Sequence, residues 1–283
     1  MNIGKVIVVG ATGYIGQSLY NKIQQDRNVL GTSRAGEGGL IKLDLLTPKL
    51  FDYQIVNPRD VVIMTSAISA PNICSEQFDY AHTVNVSGTS LFIEEVIYRG
   101  GRVIFLSSDT VYGAGEGFTE DSAPNPVGEY ASMKSEVEKQ FTSSNSFKVA
   151  RLSYVFSSAD KFTQYINGCA VQNLHAEVFH PFYRSVIYRN DVVDGLIELA
   201  LTWDNYSYGT LNFGGSQLLS RVDMTSKLKE LVYSNLHFKI VEPEPSFFDK
   251  RPQIIGMNSN LFTNLLGRPP LSFEDAVKAE FNL

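Results

Sequence analysis

Cysteine is scarce in this sequence, and no residue pattern typical of a metal site is present. Cys74 and Cys169 are the two cysteines among 283 residues, and they lie far apart in the chain. A disulfide framework needs more cysteines at closer spacing, so we expect reduced thiols and a cytoplasmic protein. The four histidines are scattered and no Cys-x-x-Cys occurs, so no metal is predicted.

Two further absences narrow the range of partners. The formal net charge is −6 at pH 7, whereas a nucleic-acid partner favours a basic face. The apolar runs are short, since the first, Val6–Val9, ends at Gly10, and none approaches the length of a membrane span. We therefore predict neither a nucleic-acid partner nor a membrane partner. Hydrophobic residues still make up 43% of the chain, enough for a sizeable core.

Short apolar runs alternate with segments of helical character in the first half of the chain. The runs are continuous rather than alternating, which is typical of strands that are covered on both faces of a parallel sheet. They are Val6–Val9, Val61–Met64, Val103–Leu106 and Val149–Val155. Helices are expected at residues 13–25, 78–99 and 127–142. This order predicts an α/β protein with a Rossmann-type, doubly wound parallel sheet.

The pattern loosens after residue 155, where polar and aromatic loops and several prolines appear. A strand and a helix return near residues 185–201, with Asp191 as the expected N-cap. We predict that residues 1–155 form the dinucleotide-binding domain and that 185–215 return to it. Residues 156–184 and 216–283 are then a smaller, interleaved substrate-binding lobe.

The first predicted strand runs into three glycines, Gly10, Gly13 and Gly16, with Thr12, Tyr14 and Ile15 between them. The chain must turn sharply there and let the backbone approach a pyrophosphate, which side chains would block. The new helix then directs its free N–H groups at the phosphates. This segment therefore predicts a phosphate-binding loop for a dinucleotide.

The second strand is expected to end at Ser33 and Arg34, where an NAD enzyme usually has an acidic residue. A guanidinium suits the 2′-phosphate of NADP, so we predict NADPH as the cofactor. The alternative for Arg34 is a solvated loop residue. Asp44 and Leu45 follow the next short strand and either meet the adenine edge or belong to an exposed loop.

Tyr130 and Lys134 are four residues apart on a predicted helix and share one face. Reduction of a carbonyl needs a proton donor, and a nearby ammonium lowers the pKa of a tyrosine towards working pH. Ser108, at the end of the third long strand, is placed to bind the substrate oxygen. The alternative is an ordinary pair on a helix surface.

These segments together resemble the extended short-chain dehydrogenase/reductases. The resemblance is carried by Gly10–Gly16, Asn85–Thr89, Ser107–Gly113 and Tyr130–Lys134. It implies that Ser108, Tyr130 and Lys134 are catalytic and that Lys134 also binds the nicotinamide ribose. It further implies an NAD(P)-dependent oxidoreductase, and a homodimer through helices 78–99 and 127–142. The further cofactor contacts it implies are Thr65, Ser66, Ala67, Asn85 and Tyr154.

The step Ser108-Asp109-Thr110 resembles sugar-nucleotide 4-ketoreductases of the dTDP-4-dehydrorhamnose reductase type. The related dehydratases have an Asp-Glu pair there, and Thr110 removes one partner of that chemistry. Arg184 and Arg251 resemble arginines that grip a nucleotide diphosphate, with surface ion pairs as the alternative. Asp109, Thr110 and both arginines are thus the expected substrate contacts.

The expected reaction is NADPH-dependent reduction of a nucleotide-linked 4-keto-6-deoxysugar, a step of deoxysugar biosynthesis. The hydride goes to C4 and the proton comes from Tyr130. The alternatives on the same scaffold are a sugar-nucleotide 4-epimerase and another NADP-dependent carbonyl reductase. A non-catalytic, dinucleotide-binding regulatory protein is a third.

Overall fold

The structure is a computed structural model that describes residues 3–283. The strands are β1 (Val6–Val9), β2 (Val29–Ser33), β3 (Ile41–Lys42), β4 (Val61–Met64), β5 (Arg102–Ser108), β6 (Gly115–Phe118), β7 (Phe147–Leu152), β8 (Val155–Phe156), β9 (His175–Phe179), β10 (Tyr183–Ser185), β11 (Ile187–Tyr188), β12 (Thr210–Phe213), β13 (Leu218–Ser220), β14 (His237–Val241) and β15 (Ile254–Met257). The helices are α1 (Tyr14–Ile23), α2 (Pro71–Glu76), α3 (Phe78–His82), α4 (Thr89–Tyr98), α5 (Glu129–Phe141), α6 (Lys161–Val171), α7 (Arg189–Leu201), α8 (Arg221–Leu231), α9 (Asn260–Leu266) and α10 (Phe273–Phe281).

Seven parallel strands form the central sheet, in the order β12-β7-β5-β4-β1-β2-β3. The order runs outwards in both directions from β1 and β4, which are direct neighbours. Ligands in such sheets bind where the order reverses, beyond the carboxyl ends of the strands. The predicted α/β, doubly wound fold is confirmed.

Both faces of the central sheet are covered by helices, which explains why its strands are continuously apolar. On one face, Leu19 of α1 and Leu196 of α7 are fully buried in one core. On the other face, Phe92 of α4 and Val137 of α5 are fully buried in a second core. The sheet is thereby a rigid platform for the loops at its carboxyl edge.

A second lobe contains a four-stranded sheet of order β13-β10-β15-β6 and the parallel pair β14-β9. Its own core includes Phe156, Ile166 and Leu228, all fully buried. Helix α9 belongs with the central sheet instead, because Phe262 packs against α7 and Phe213 of β12. The division of the chain at residues 155, 185 and 215 stays a prediction.

Asp191 is not the N-cap that the sequence predicted. Helix α7 begins at Arg189 with Tyr188 at its N-cap, so Asp191 lies inside the first turn. Its buried carboxylate instead accepts from the backbone N–H of Leu271 at 2.8 Å and pairs with Arg268 at 2.6 Å. The side chain thus fastens the C-terminal segment to α7.

The predicted helix over residues 78–99 is continuous but changes its winding, since a π-helical turn, Thr83–Gly88, joins α3 to α4. A Cβ on Gly88 would lie 1.7 Å from the backbone oxygen of Leu45, so only glycine fits at this crossing.

Between residues 3 and 283, none of the helices has both the length and the apolar character needed to cross a bilayer.

Candidate active site

The glycine loop connects β1 to α1 at the point where the strand order reverses. Gly10 has a φ of +86°, which favours glycine. A Cβ on Gly16 would lie 2.1 Å from the backbone oxygen of Gly10, so no side chain fits at this position of the loop. Gly13 caps α1 without a side-chain hydrogen bond, which leaves the first N–H groups of the helix for a ligand.

A cleft of about 450 Å³ opens above this loop, between the carboxyl ends of the strands and α5. It gathers most of the predicted cofactor residues. Those that line it are Gly10, Thr12, Gly13, Tyr14, Ile15, Ser33, Arg34, Asp44, Leu45, Thr65, Ser66, Ala67, Tyr130 and Lys134. The glycine loop and the Tyr-x-x-x-Lys pair therefore face one shared space.

Part of the lining was not predicted from the sequence. The missed residues are Thr32, Leu43, Ile68, Ser69, Tyr80, Val84, Leu106, Ser107 and Leu152. Thr32, Leu106 and Leu152 lie at or near the carboxyl ends of β2, β5 and β7, so the rule that ligands bind at those ends would have found them. Tyr80 and Val84 come from the helical segment above, for which no local signal exists.

Three predicted cofactor residues, Gly16, Asn85 and Tyr154, are not part of the lining of this cleft. Asn85 is buried, and its amide accepts from the Ile68 N–H at 2.8 Å and donates to the Ile68 oxygen at 2.9 Å. It therefore fixes a wall of the cleft. The hydroxyl of Tyr154 binds Asp160, and a neighbouring guanidinium covers its ring.

Ser33 and Arg34 differ in their surroundings. The Ser33 hydroxyl accepts a hydrogen bond from the Gly36 N–H at 3.0 Å, so it shapes the loop that follows β2. Arg34 is exposed at the rim of the cleft. Within residues 3–283, no acidic side chain forms an ion pair with it. Asp44, on the facing loop, accepts from the Leu46 N–H at 3.0 Å and stabilises a turn.

Lys134 is almost completely buried, with 4% of its surface exposed. Its Nζ donates to the backbone oxygen of Leu106 at 2.7 Å and lies 4.4 Å from the ring centre of Phe105 and 5.9 Å from that of Tyr130. Burial lowers the pKa of Lys134 to about 8, and Glu138 opposes this shift. The ammonium is therefore costly to keep where it is.

The pKa of Tyr130 is shifted in the direction opposite to the expected one. Lys134 was expected to lower its pKa, but burial raises the pKa of Tyr130, and the nearby Cys74 and Asp109 raise it further. Burial is the main cause of this shift, and the hydrogen bond of the Lys134 ammonium goes to Leu106 and not to the phenol. The phenol stays protonated at neutral pH, which suits a proton donor better than a base.

A polar cluster lies at the end of β5. The Ser108 hydroxyl accepts from the Thr110 N–H at 3.2 Å and from the Thr110 hydroxyl at 2.9 Å, and it lies 3.2 Å from Asp109 Oδ1. Asp109 Oδ2 accepts from Ser153 at 2.9 Å and is 3.6 Å from Nε of Arg184. Asp109 and Arg184 thus contact each other and are both buried, with 4% and 7% exposed.

Arg251 lies apart from this pair, on a segment of the second lobe that crosses α2. Its Nη2 donates to Asn72 at 2.8 Å, and its guanidinium lies 4.9 Å from the ring centre of Phe247. The adjacent Lys250 donates to Ser75 at 2.6 Å. This segment therefore connects the second lobe to the helix beside the cleft.

A second cavity, of about 340 Å³, lies in the second lobe. Its lining is aromatic with one cation and one acid: Phe162, Tyr165, Glu177, Phe179, Phe182, Arg221 and Phe247. Arg221 stacks on Tyr154 at 3.8 Å and on Phe162 at 4.3 Å. The aromatic loops after residue 155 are the sequence feature that corresponds to this cavity.

A parallel sheet in this strand order, a glycine loop after its first strand and a Tyr-x-x-x-Lys pair beside the same cleft define the extended short-chain dehydrogenase/reductase class. Within it, the chain belongs to the family described as the RmlD substrate binding domain, which matches residues 4–282. The predicted resemblance is confirmed over nearly the whole chain.

Known proteins of at least three kinds are similar to this chain. The beta subunit of methionine adenosyltransferase 2 from Xenopus tropicalis is 25% identical over 263 residues, 88% of this chain and 78% of that protein. A dTDP-4-dehydrorhamnose reductase from Bacillus anthracis in complex with NADP superimposes with a TM-score of 0.84 at 19% identity, over 99% of both chains. A UDP-glucuronic acid 4-epimerase from Bacillus cereus, in complex with UDP-glucuronic acid and NAD, gives 0.80 at 19% identity, over 99% of this chain and 98% of that one.

The family and these structures agree with the predicted class, an NAD(P)-dependent enzyme of the extended short-chain dehydrogenase/reductase type. The solved structures contain NAD or NADP, in line with the coarser prediction of a nicotinamide dinucleotide.

Proposed function

We propose that this protein is an NADPH-dependent reductase of a nucleotide-linked 4-keto-6-deoxysugar. The observation that carries the proposal is that Tyr130 and Lys134 line the same cleft as the glycine loop. A proton donor and a dinucleotide site in one space are what carbonyl reduction by hydride transfer requires.

The residues of the cleft fit a dinucleotide. The three glycines of the Gly10–Gly16 loop let a pyrophosphate approach the backbone, and the start of α1 offers it N–H groups. Arg34 is exposed at the rim, where a guanidinium can take a 2′-phosphate. A nicotinamide held in this cleft would supply the hydride for C4.

Three side chains transfer the proton, stabilise the charge that this leaves and bind the substrate oxygen. Tyr130 delivers its proton to the carbonyl oxygen as that oxygen gains charge. Lys134, held by the Leu106 oxygen, keeps a positive charge beside the phenolate that this leaves. Ser108 redirects its hydroxyl hydrogen from Asp109 to the substrate oxygen and holds it beside Tyr130.

A nucleotide-linked substrate is supported by the second lobe. The aromatic cavity around Arg221 offers flat apolar walls for a base, and the adjoining Arg251 offers a cation for a diphosphate. Thr110 favours reduction over dehydration, because it replaces the acidic partner of the dehydratases. We further propose a homodimer through residues 78–99 and 127–142, and a cytoplasmic location.

Two other functions have specific support. The likeness to a UDP-glucuronic acid 4-epimerase in complex with NAD favours an epimerase, which would keep its cofactor through purification. The curated relatives are, by name, subunits of another enzyme, which favours a dinucleotide-binding subunit without its own reaction.

The deciding experiment measures oxidation of NADPH, and separately of NADH, with a panel of nucleotide-linked 4-keto-6-deoxysugars. We expect NADPH to be oxidised with at least one of them. Tyr130→Phe should reduce the turnover number by about 10²–10⁴-fold while NADPH still binds. Binding of NADPH without turnover of any panel member would favour the subunit, and unchanged turnover in the variant would exclude Tyr130 as the proton donor.

A further inference from the structure

Arg184 uses its guanidinium entirely within the protein. Nη1 donates to the backbone oxygen of Tyr183 at 2.6 Å and lies 3.5 Å from that of Gln253, and Nη2 donates to that of Pro252 at 2.8 Å. The ring of Phe182 covers one face, with its centre 4.3 Å from the guanidinium carbon. Nε is directed towards Asp109, 3.6 Å away.

These contacts come from both lobes. Asp109 follows β5 of the central sheet, whereas Arg184 lies on β10 and Pro252 and Gln253 precede β15. One buried side chain therefore connects the end of a central strand to the segment that crosses α2. No other ion pair within residues 3–283 reaches Asp109.

Asp109 contacts both Arg184 and Ser108, and so links Arg184 to the proposed reaction site. Its Oδ2 is held by Ser153 and Arg184, which fixes the carboxylate plane and leaves Oδ1 beside the Ser108 hydroxyl. The orientation of the Ser108 hydroxyl thus depends on a charge whose compensation comes from the second lobe.

We propose that Arg184 is a positioning residue, which compensates Asp109 and thereby orients Ser108, and that it does not bind the substrate diphosphate. This inference rests on the proposed reductase function. A phosphate would have to displace three backbone carbonyls and the Asp109 carboxylate from a side chain that is only 7% exposed. Arg251, half-exposed beside the aromatic cavity, has fewer contacts to give up.

The two roles predict opposite kinetics. If Arg184 positions Ser108, Arg184→Gln leaves the buried Asp109 carboxyl without its counter-charge, and the carboxyl no longer holds the Ser108 hydroxyl in a fixed orientation. The turnover number should then fall by about 10- to 100-fold while KM for the nucleotide sugar changes less than about threefold. If Arg184 binds phosphate, KM rises by about tenfold or more and the turnover number is retained.

The charge-neutral pair separates positioning from general damage. In Arg184→Gln with Asp109→Asn, neither group is an unpaired buried charge, and asparagine still offers an acceptor to Ser108. We expect the double variant to regain at least about threefold in turnover number over Arg184→Gln, and to unfold at a higher temperature. Losses that add up in the double variant would overturn the pairing.

The unfolding temperatures of the wild type and the variants can be compared without any substrate. They therefore test the pairing of Arg184 with Asp109 even if no panel sugar is reduced. A lack of turnover with every sugar would reject only the reductase function. NADPH affinity serves as the check on folding. If Arg184→Gln does not fold, Arg184→Lys replaces it: a lysine keeps a charge for a phosphate but cannot serve three carbonyls and Asp109 together. Arg251→Gln is the matched control and should raise KM.

Discussion

Lys134 donates a hydrogen bond to the backbone oxygen of Leu106, 2.7 Å away, and so fastens α5 to the strand that ends at Ser108. The ammonium lies between two aromatic rings and has almost no contact with solvent. A charge kept in such a place lowers the stability of the fold, and the cost should be measurable as a function of pH.

Lys134→Met should be more stable than the wild type at pH 7. The folded-state pKa of Lys134 is lowered from 10.5 to about 8, so the unfolded chain binds this proton more readily between these values. Wild-type stability therefore rises with pH through that window, and the penalty is fully present below about 8. The variant lacks it and should gain about 1–3 kcal/mol at pH 7, with the gain shrinking towards pH 10.5.

Urea unfolding at several pH values measures this difference. Lys148 also has its pKa lowered to about 8 by burial, but it is present in both proteins and cancels in the comparison. A difference in stability that does not change with pH would contradict the burial penalty. The same variant should lose NADPH oxidation, since the phenolate of Tyr130 would form without a neighbouring cation.

Arg34 should decide between the two dinucleotides. Removal of an exposed guanidinium that contacts a 2′-phosphate costs roughly 1.5–3 kcal/mol. Arg34→Ala should thus weaken NADPH binding by about 10- to 100-fold and leave NADH binding nearly unchanged. Arg27→Ala, an exposed arginine beyond the opposite end of α1, is the matched control. Equal losses for both dinucleotides would mean that Arg34 does not read the 2′ position.

The features that sequence reasoning found are local in the chain. The Gly10–Gly16 loop is a strand, a turn and a helix in immediate succession, and Tyr130 and Lys134 share a helix face by spacing alone. Such patterns depend on backbone geometry within a few residues, so they can be read without a fold.

The features that it missed depend on packing between distant segments. Arg184 is a predicted substrate contact by resemblance, but the sequence gives no sign of its contact with Asp109, which is set by how β10 meets the end of β5. Asn85 is a predicted cofactor contact, and the sequence likewise gives no sign of the hydrogen bonds between its amide and Ile68 in the π-helical turn. Neither contact has a periodic or compositional signal.

Glu138 and Arg151 form a buried pair whose disruption should be costly. Arg151 Nη2 lies 2.6 Å from Glu138, both residues are at most 5% exposed, and Nη1 donates to the Tyr112 hydroxyl at 2.8 Å. Glu138→Gln leaves the guanidinium without its counter-charge and should lower the free energy of unfolding by about 3–5 kcal/mol. Tyr112→Phe removes the hydroxyl that accepts from Arg151 and donates to Asn212 at 2.6 Å, and should cost about 1–3 kcal/mol.

Glu136→Gln provides the control on the same helix. Glu136 is half-exposed and pairs with His82 at 3.3 Å, so its loss should change the free energy of unfolding by less than about 0.5 kcal/mol. Chemical denaturation measures the free energy of unfolding of the three variants and so ranks them. Equal effects for Glu138 and Glu136 would contradict a structural role for the buried pair.

Gly16→Ala tests whether the closeness of the glycine loop matters for the cofactor. The added methyl group would lie 2.1 Å from the Gly10 oxygen and 2.5 Å from Thr65 Oγ1. The Gly10 oxygen is backbone, and Thr65 is held by the Val9 oxygen at 2.7 Å, so the loop itself must move. We expect a loss of about 1–3 kcal/mol in stability and at least tenfold weaker NADPH binding, measured by fluorescence titration.

In the matched control, Gly168→Ala inside α6, the methyl group meets no atom within 4 Å and should stabilise the helix by up to about 1 kcal/mol. If both variants bound NADPH like the wild type, the tight approach of Gly16 to Gly10 would serve the fold alone, and the phosphate-binding role of this loop would be wrong.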